Sequence, residues 1–321
     1  MFKDILLAIT PSELCDCAAD AAFHFAQRFE SRLVIAHVCG MAQGWGDMEF
    51  LESSGEVAKI KASVEEYYRE KLRGLNDYEI KVVPGMPHAE VLRIARKMNA
   101  DLVVMGPHTK EYAEHRSRMW GMAGSTLEQV SQKAPCPVMI VAKSTPYGEH
   151  NFLNIVAATD FSDQADCAVH YGAQIARHYK AGLTVFNCVE VGGETGRLVM
   201  SQDEIKRSIA ESKARMKERY GARLEGIKNC SFESWEGLPA MEILKLARMR
   251  EANLILMAHH TRERDPEKAF LGSTVVQVAL NSPCPTMSVN RHFDLRCGLM
   301  YDQAGQAVKT KPAVGVAEAG G

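Results

Sequence analysis

Two short polar turns and two Gly-Ser-Thr triplets concentrate the chemistry of this chain. Thr10-Pro11-Ser12-Glu13 closes one apolar run, and Asp160-Phe161-Ser162-Asp163 closes another. Gly106-Pro107-His108-Thr109 and Ala258-His259-His260-Thr261 end a second pair of such runs, and Gly124-Ser125-Thr126 and Gly272-Ser273-Thr274 each open an amphipathic segment. A carboxylate such as Asp160 accepts strongly from a sugar hydroxyl or an amine. Gly-Ser-Thr at a helix start offers unpaired N–H groups, hydroxyls and the positive end of the helix dipole, which together seat a phosphate. Structural roles compete for the same atoms. Ser125 with Glu128, and Thr274 with Gln277, fit capping boxes, and Asp160 fits a turn cap.

The remaining candidates are less defined. His108, His115, His259 and His260 show no ligand pair at a spacing diagnostic of metal, so wet loop histidines are the simpler reading. Lys110, Arg116 and Arg118, like Arg262, Arg264 and Lys268, could meet phosphates but alternate with glutamates as solvated loops do. The 192–196 glycines open no periodic helix and read as a loop. No P-loop and no Gly-x-Ser-x-Gly nucleophile turn is present, and no Ser/His/Asp set is assembled.

The elements that must position these residues come twice. Ile5 aligns with Ile155, 150 positions later; Gly85 with Gly237 and Ala100 with Ala252, 152 later; Gly124 with Gly272 and Cys136 with Cys284, 148 later. Landmarks in one order with nearly constant offsets mean that a whole domain is duplicated. In the first copy, strands are expected at 5–9, 33–38, 79–83, 102–105 and 138–141. Helices are expected at 12–29 (Ser12 as N-cap), 57–72, 89–98 and 126–132. In the second, strands fall at 155–159, 183–189, 230–234, 254–257 and 286–289, with helices at 163–179, 203–220, 240–250 and 274–281. Short apolar strands alternating with amphipathic helices give an α/β fold of two tandem, doubly wound, five-stranded parallel sheets, Rossmann-like, of strand order 3-2-1-4-5. In such sheets ligands bind beyond the carboxyl ends of the strands, where the winding reverses, which is where the polar turns lie. Domain one is expected over 1–143, a Ser/Thr/Pro/Gly linker over 144–150, domain two over 151–291 and a mostly disordered tail over 292–321.

Composition fits that reading. The chain has 321 residues, 46% of them hydrophobic, with a formal net charge of −2, so no basic field argues for nucleic acid. Its nine cysteines are an odd number with no C-x-x-C pair, pointing to reduced core thiols. No apolar run is long enough to span a bilayer, so no membrane insertion is expected and the location is read as cytoplasmic.

The doubled landmarks resemble the universal stress protein family over nearly all of the chain to about residue 291. That family has a first strand ending in Asp, a Gly-x-Pro before the third helix, a Gly-x2-Gly-x9-Gly-[Ser/Thr] loop after the fourth strand and often a Pro-Cys-Pro before the last. The resemblance implies an adenine nucleotide held by Asp160, Val189, Ala258, Thr261, Gly272, Ser273 and Thr274 in copy two. In copy one the matching positions include Thr10, Gly106, Gly124 and Ser125. Both loops depart from the pattern. Copy one has Thr10 for Asp, Thr109 for Gly and an overlong loop; copy two has Ala258 and Thr261 where glycines belong. The expected function is a tandem, non-enzymatic stress-response module binding ATP or a similar ligand, or protein partners, with no other cofactor and no metal. A scaffold with vestigial pockets, or a weak nucleotide- or metal-dependent hydrolase, stays open. The resemblance also implies that the two fifth strands, 138–141 and 286–289, pair to make a pseudo-dimer within the chain; a homodimer beyond that stays open.

Overall fold

Every central strand is buried on both faces, which is what near-continuous runs of Leu, Ile and Val require. Ile5, Leu6 and Leu7 of β1 (Asp4–Ile9), Leu33, Val34 and Ile35 of β2 (Arg32–Cys39), and Leu102, Val103 and Val104 of β4 (Leu102–Met105) are all shut from solvent. The computed structural model describes residues 2–10, 15–39, 54–106, 125–143, 152–190, 200–258, 274–289, 300–301 and 307–308, with residue 125 and the last two pairs described by backbone alone.

In copy one the remaining elements are α1 (Asp16–Phe29), α2 (Glu56–Tyr67), α3 (Arg69–Leu72), β3 (Tyr78–Pro84), α4 (Pro87–Lys97), α5 (Ser125–Lys133) and β5 (Val138–Ile140). Copy two repeats them as β6 (Asn154–Ala158), α6 (Asp163–Tyr179), β7 (Gly182–Glu190), α7 (Gln202–Leu224), β8 (Cys230–Gly237), α8 (Pro239–Met249), β9 (Leu254–Ala258), α9 (Thr274–Asn281) and β10 (Thr286–Val289). The sheet order is β3-β2-β1-β4-β5-β10-β9-β6-β7-β8. Each half is therefore wound 3-2-1-4-5, parallel throughout. The halves meet where β5 and β10 pair antiparallel, Met139 opposite Met287. That pairing of fifth strands, expected from the sequence, hides two apolar edges in one ten-stranded sheet.

A second seam lies behind it. Phe25 of α1 meets Phe152 at 5.8 Å, Phe29 meets Tyr179 of α6 at 6.3 Å, and the Arg28 guanidinium stands 4.6 Å from the Tyr179 ring. One core cluster accordingly runs through residues of both copies.

One expectation, an unbroken helix over 57–72, needs correction, and two others touch segments that are described only in part. The described helix α1 starts at Asp16 with Cys15 as N-cap, and Cys15 makes no side-chain capping bond; its Sγ instead accepts from Thr10 N at 3.5 Å. Ser12 lies outside the described residues, so its capping role does too. The expected helix over 57–72 breaks at Tyr68 into α2 and α3, where the buried Tyr68 ring turns inward. Within the segment expected to be a disordered tail, β11 (Met300–Tyr301) and β12 (Ala307–Val308) pair antiparallel, apart from the main sheet. A lone two-stranded hairpin of this kind is marginal in water. The linker 144–150 and the 192–196 glycines lie outside the described residues.

Candidate functional site

The carboxyl ends of neighbouring strands gather the candidate residues into two groups. In copy two, Asp160 follows β6, while Val189 is near the end of β7 and Ala258 ends β9, the strands on either side of β6. Thr274 is the first residue of α9 and is half-buried. In copy one, Thr10 follows β1, and Gly106 follows the adjacent β4 and is buried. Ser125 begins α5. Gly124, Thr261, Gly272 and Ser273, with His108, His115, His259 and His260, lie outside the described residues. Among the described residues no group of three His, Cys, Asp or Glu side chains is placed to hold a metal ion.

The copy-two turn is built in detail. Asp160 is exposed, and its Oδ1 accepts from Ser162 N at 3.0 Å. Phe161 sits in the left-handed region at φ 64°, which on a residue with a side chain costs about 1–2 kcal/mol. Three contacts hold it there. Thr159 Oγ1 accepts from Phe161 N at 3.0 Å, Ser162 Oγ accepts from Ala165 N at 3.1 Å to cap α6, and the Arg215 guanidinium lies 4.1 Å over the Phe161 ring.

Beneath the turn lies a buried polar network. Thr159 Oγ1 is 2.7 Å from the Tyr220 hydroxyl, which donates to Asp166 Oδ1 at 2.9 Å. Arg219 grips Asp166 with two bonds, Nε to Oδ1 at 2.8 Å and a terminal nitrogen to Oδ2 at 2.9 Å. Asn187 Nδ2 donates to Thr159 O at 2.8 Å and its Oδ1 accepts from Ser212 Oγ at 2.8 Å. A carboxylate this buried is tolerable only when its lone pairs are filled. The bonds to Asp166 raise the Arg219 pKa, while burial pushes the Tyr220 hydroxyl well above the usual phenol value. The network ties α7 to the base of α6 and to the ends of β6 and β7, so the Asp160 turn stands on a fixed floor.

Copy one keeps the frame without the network. Ile9 replaces Thr159, Tyr67 replaces Arg219, and His37 replaces Asn187. His37 Nδ1 still donates to Ile9 O at 3.0 Å, the counterpart of the Asn187 bond. Tyr67 donates to the Asp16 carboxylate at 2.9 Å from an exposed position. Tyr68, the counterpart of Tyr220, buries a hydroxyl that finds no hydrogen-bond partner among the described residues.

Sequence reasoning singled out Asp160 but not Thr159, Asp166, Asn187, Ser212, Arg219 or Tyr220. A signal was present: Asn187 interrupts an apolar strand run, and Ser212 and Tyr220 fall on the inward side of α7.

The comparisons agree with the duplicated architecture. A model of the universal stress protein family matches residues 1–142 and again 151–290. The chain is 27% identical over 152 residues to a universal stress protein of Methanocaldococcus jannaschii, 45% of this chain and 85% of that protein. It is 30% identical over 141 residues to one from Thermus aquaticus, 44% of this chain and 99% of that protein. The crystal structure of a universal stress protein from Archaeoglobus fulgidus shares the fold with a TM-score of 0.65 at 21% identity, over 90% of this chain and 96% of that one.

Proposed function

The chain belongs to the universal stress protein family, and from that premise we propose that it is a non-enzymatic, cytoplasmic stress-response module whose second copy takes an adenine nucleotide, ATP being the first candidate. The observation that carries this reading is the exposed Asp160 carboxylate at the reversal between β6 and β9, fixed by Ser162 N at 3.0 Å above the Asp166 network. Open α/β sheets take ligands at that reversal. A carboxylate there accepts from a ribose hydroxyl or the adenine amine, and its fixed turn lowers the cost of ordering on binding.

Val189 and Ala258 flank the base and sugar in this reading. Thr261, Gly272, Ser273 and Thr274 are assigned to the phosphates, Thr274 being the first residue of α9. Thr10, Gly106, Gly124 and Ser125 form the weaker copy-one counterpart, because Thr10 offers only a neutral acceptor. No helix among the described residues is long and apolar enough to cross a membrane, and the antiparallel β5–β10 pair supports the reading of one chain as a pseudo-dimer.

Gently purified protein tests this by its cargo. Mass spectrometry of the released small molecules is expected to find an adenine nucleotide. Protein that carries none and takes none up would make Asp160 a turn residue only, and the chain an interaction scaffold.

A further inference from the structure

The outer edge of β3 carries a feature unrelated to the strand-end site. A cavity of about 360 Å³ is lined there by Ile80, Lys81, Val82 and Val83 of β3, by Val57 and Lys61 of α2, and by Arg93, Ile94 and Lys97 of α4. Right-handed crossovers place α2 and α4 on opposite faces of the sheet. A space bounded by both helices and the last strand must therefore lie beyond that strand's free edge.

Backbone pairing says what the edge offers. Leu33 N bonds Asp77 O, and Gly85 N bonds Cys39 O, so odd-numbered positions of β3 turn their main chain toward β2. By alternation, the N–H and C=O groups of Ile80 and Val82 face outward. Among the described residues β3 has no second neighbouring strand.

Charge says what would fill it. Arg93 is bonded to Glu90 and Lys81 pairs Glu79 at 3.2 Å, but neither Lys61 nor Lys97 has an ion-pair partner among the described residues. The repeat supplies the contrast. On the opposite edge of the sheet, Lys61 corresponds to Lys213 and Lys81 to Glu233. Glu233 accepts from Lys213 at 3.1 Å and from Arg250 at 2.9 Å. Copy two thus carries a carboxylate at the position of Lys81, and among the described residues Lys61 and Lys97 of copy one have no counterpart to it. The same surplus of cations opposes pairing of two β3 edges from two chains.

We propose that the β3 edge is a docking site for an extended acidic segment of a protein partner, which adds as an eleventh strand with its carboxylates at Lys61 and Lys97. Main-chain bonds to Ile80 and Val82 supply affinity, and the cations supply selection. The site is independent of the nucleotide reading, since it shares no residue with it.

The probe is a fluorescein-labelled decapeptide of alternating Glu and Val, titrated against the full chain by anisotropy. Its alternating Lys and Val analogue and a version N-methylated along one main-chain edge serve as controls. Binding of the acidic peptide is expected, weakened at least about tenfold, or about 1.4 kcal/mol, by Lys61→Glu with Lys97→Glu and by N-methylation. Amide exchange at Ile80 and Val82 is expected to slow on binding. An unchanged thermal midpoint for the double variant shows that the loss is local. No binding, equal binding of the Lys peptide, or binding indifferent to N-methylation overturns the proposal. So does self-association of the charge-reversed chain without peptide binding by the original, which would make the lysines mere guards of an open edge.

Discussion

Tyr220 donates its buried hydroxyl to Asp166 Oδ1 at 2.9 Å, and the same hydroxyl meets Thr159 at 2.7 Å. Its counterpart Tyr68 is as deeply buried yet has no hydrogen-bond partner among the described residues. One ancestral frame thus keeps a filled polar network under one site and an unfilled hydroxyl under the other.

That contrast predicts opposite responses to the same substitution. Tyr220→Phe leaves the Asp166 and Thr159 oxygens short of a partner and is expected to cost about 1–2 kcal/mol. Tyr68→Phe removes a desolvated hydroxyl and is expected to be neutral or to stabilise by up to about 1 kcal/mol. Urea unfolding of the two variants beside the parent measures both. Equal losses would mean that Tyr68 is satisfied after all.

The β5–β10 pair predicts the behaviour of a separated copy. Val138, Met139 and Ile140 are all buried against β4 and β10. Residues 1–143 alone would expose that apolar edge, so sedimentation is expected to show self-association or loss to the pellet. A soluble monomer at high concentration would contradict the seam.

Acid is expected to loosen the second seam through His178. Its ring stands 5.4 Å from Phe29 and 5.1 Å from Tyr179 at an otherwise exposed position, and partial desolvation against those rings, with the Arg28 charge, holds its pKa below the ordinary 6.5. The unfolded chain therefore binds this proton more readily than the folded one. The penalty is absent above the unfolded value and grows as pH falls through 6.5 toward the folded value. Thermal midpoints from neutral to mildly acidic pH are expected to fall more steeply for the parent than for His178→Gln. Parallel curves would show that His178 does not report on the seam.

The architecture was legible because burial writes itself into composition. Runs such as Ile5–Leu7 and Leu254–Leu256 alternate with amphipathic helices, and repetition at nearly constant offset marks the duplication. The apolar edge Val138–Ile140 showed that something must cover it, and the family resemblance, not the residues alone, implied that the covering strand is β10. The floor of the site was less legible. Arg219 and Tyr220 of α7 lie more than fifty residues from Thr159 and Asp166, and only the packing of α7 against α6 and β7 brings them together with Asn187. The break of the expected 57–72 helix at Tyr68 was not legible either, because nothing in the local spacing marks where a buried ring interrupts the helix.

The central claim is that the Asp160 turn, and not the Thr10 turn, holds the nucleotide. Calorimetric titration of ATP into the parent chain, Asp160→Ala and Thr10→Ala tests it most directly. The account predicts that the parent binds, that Asp160→Ala weakens binding at least about tenfold, equivalent to about 1.4 kcal/mol, and that Thr10→Ala changes little. Loss through Thr10→Ala with Asp160→Ala unaffected, or no heat of binding in the parent, would contradict it.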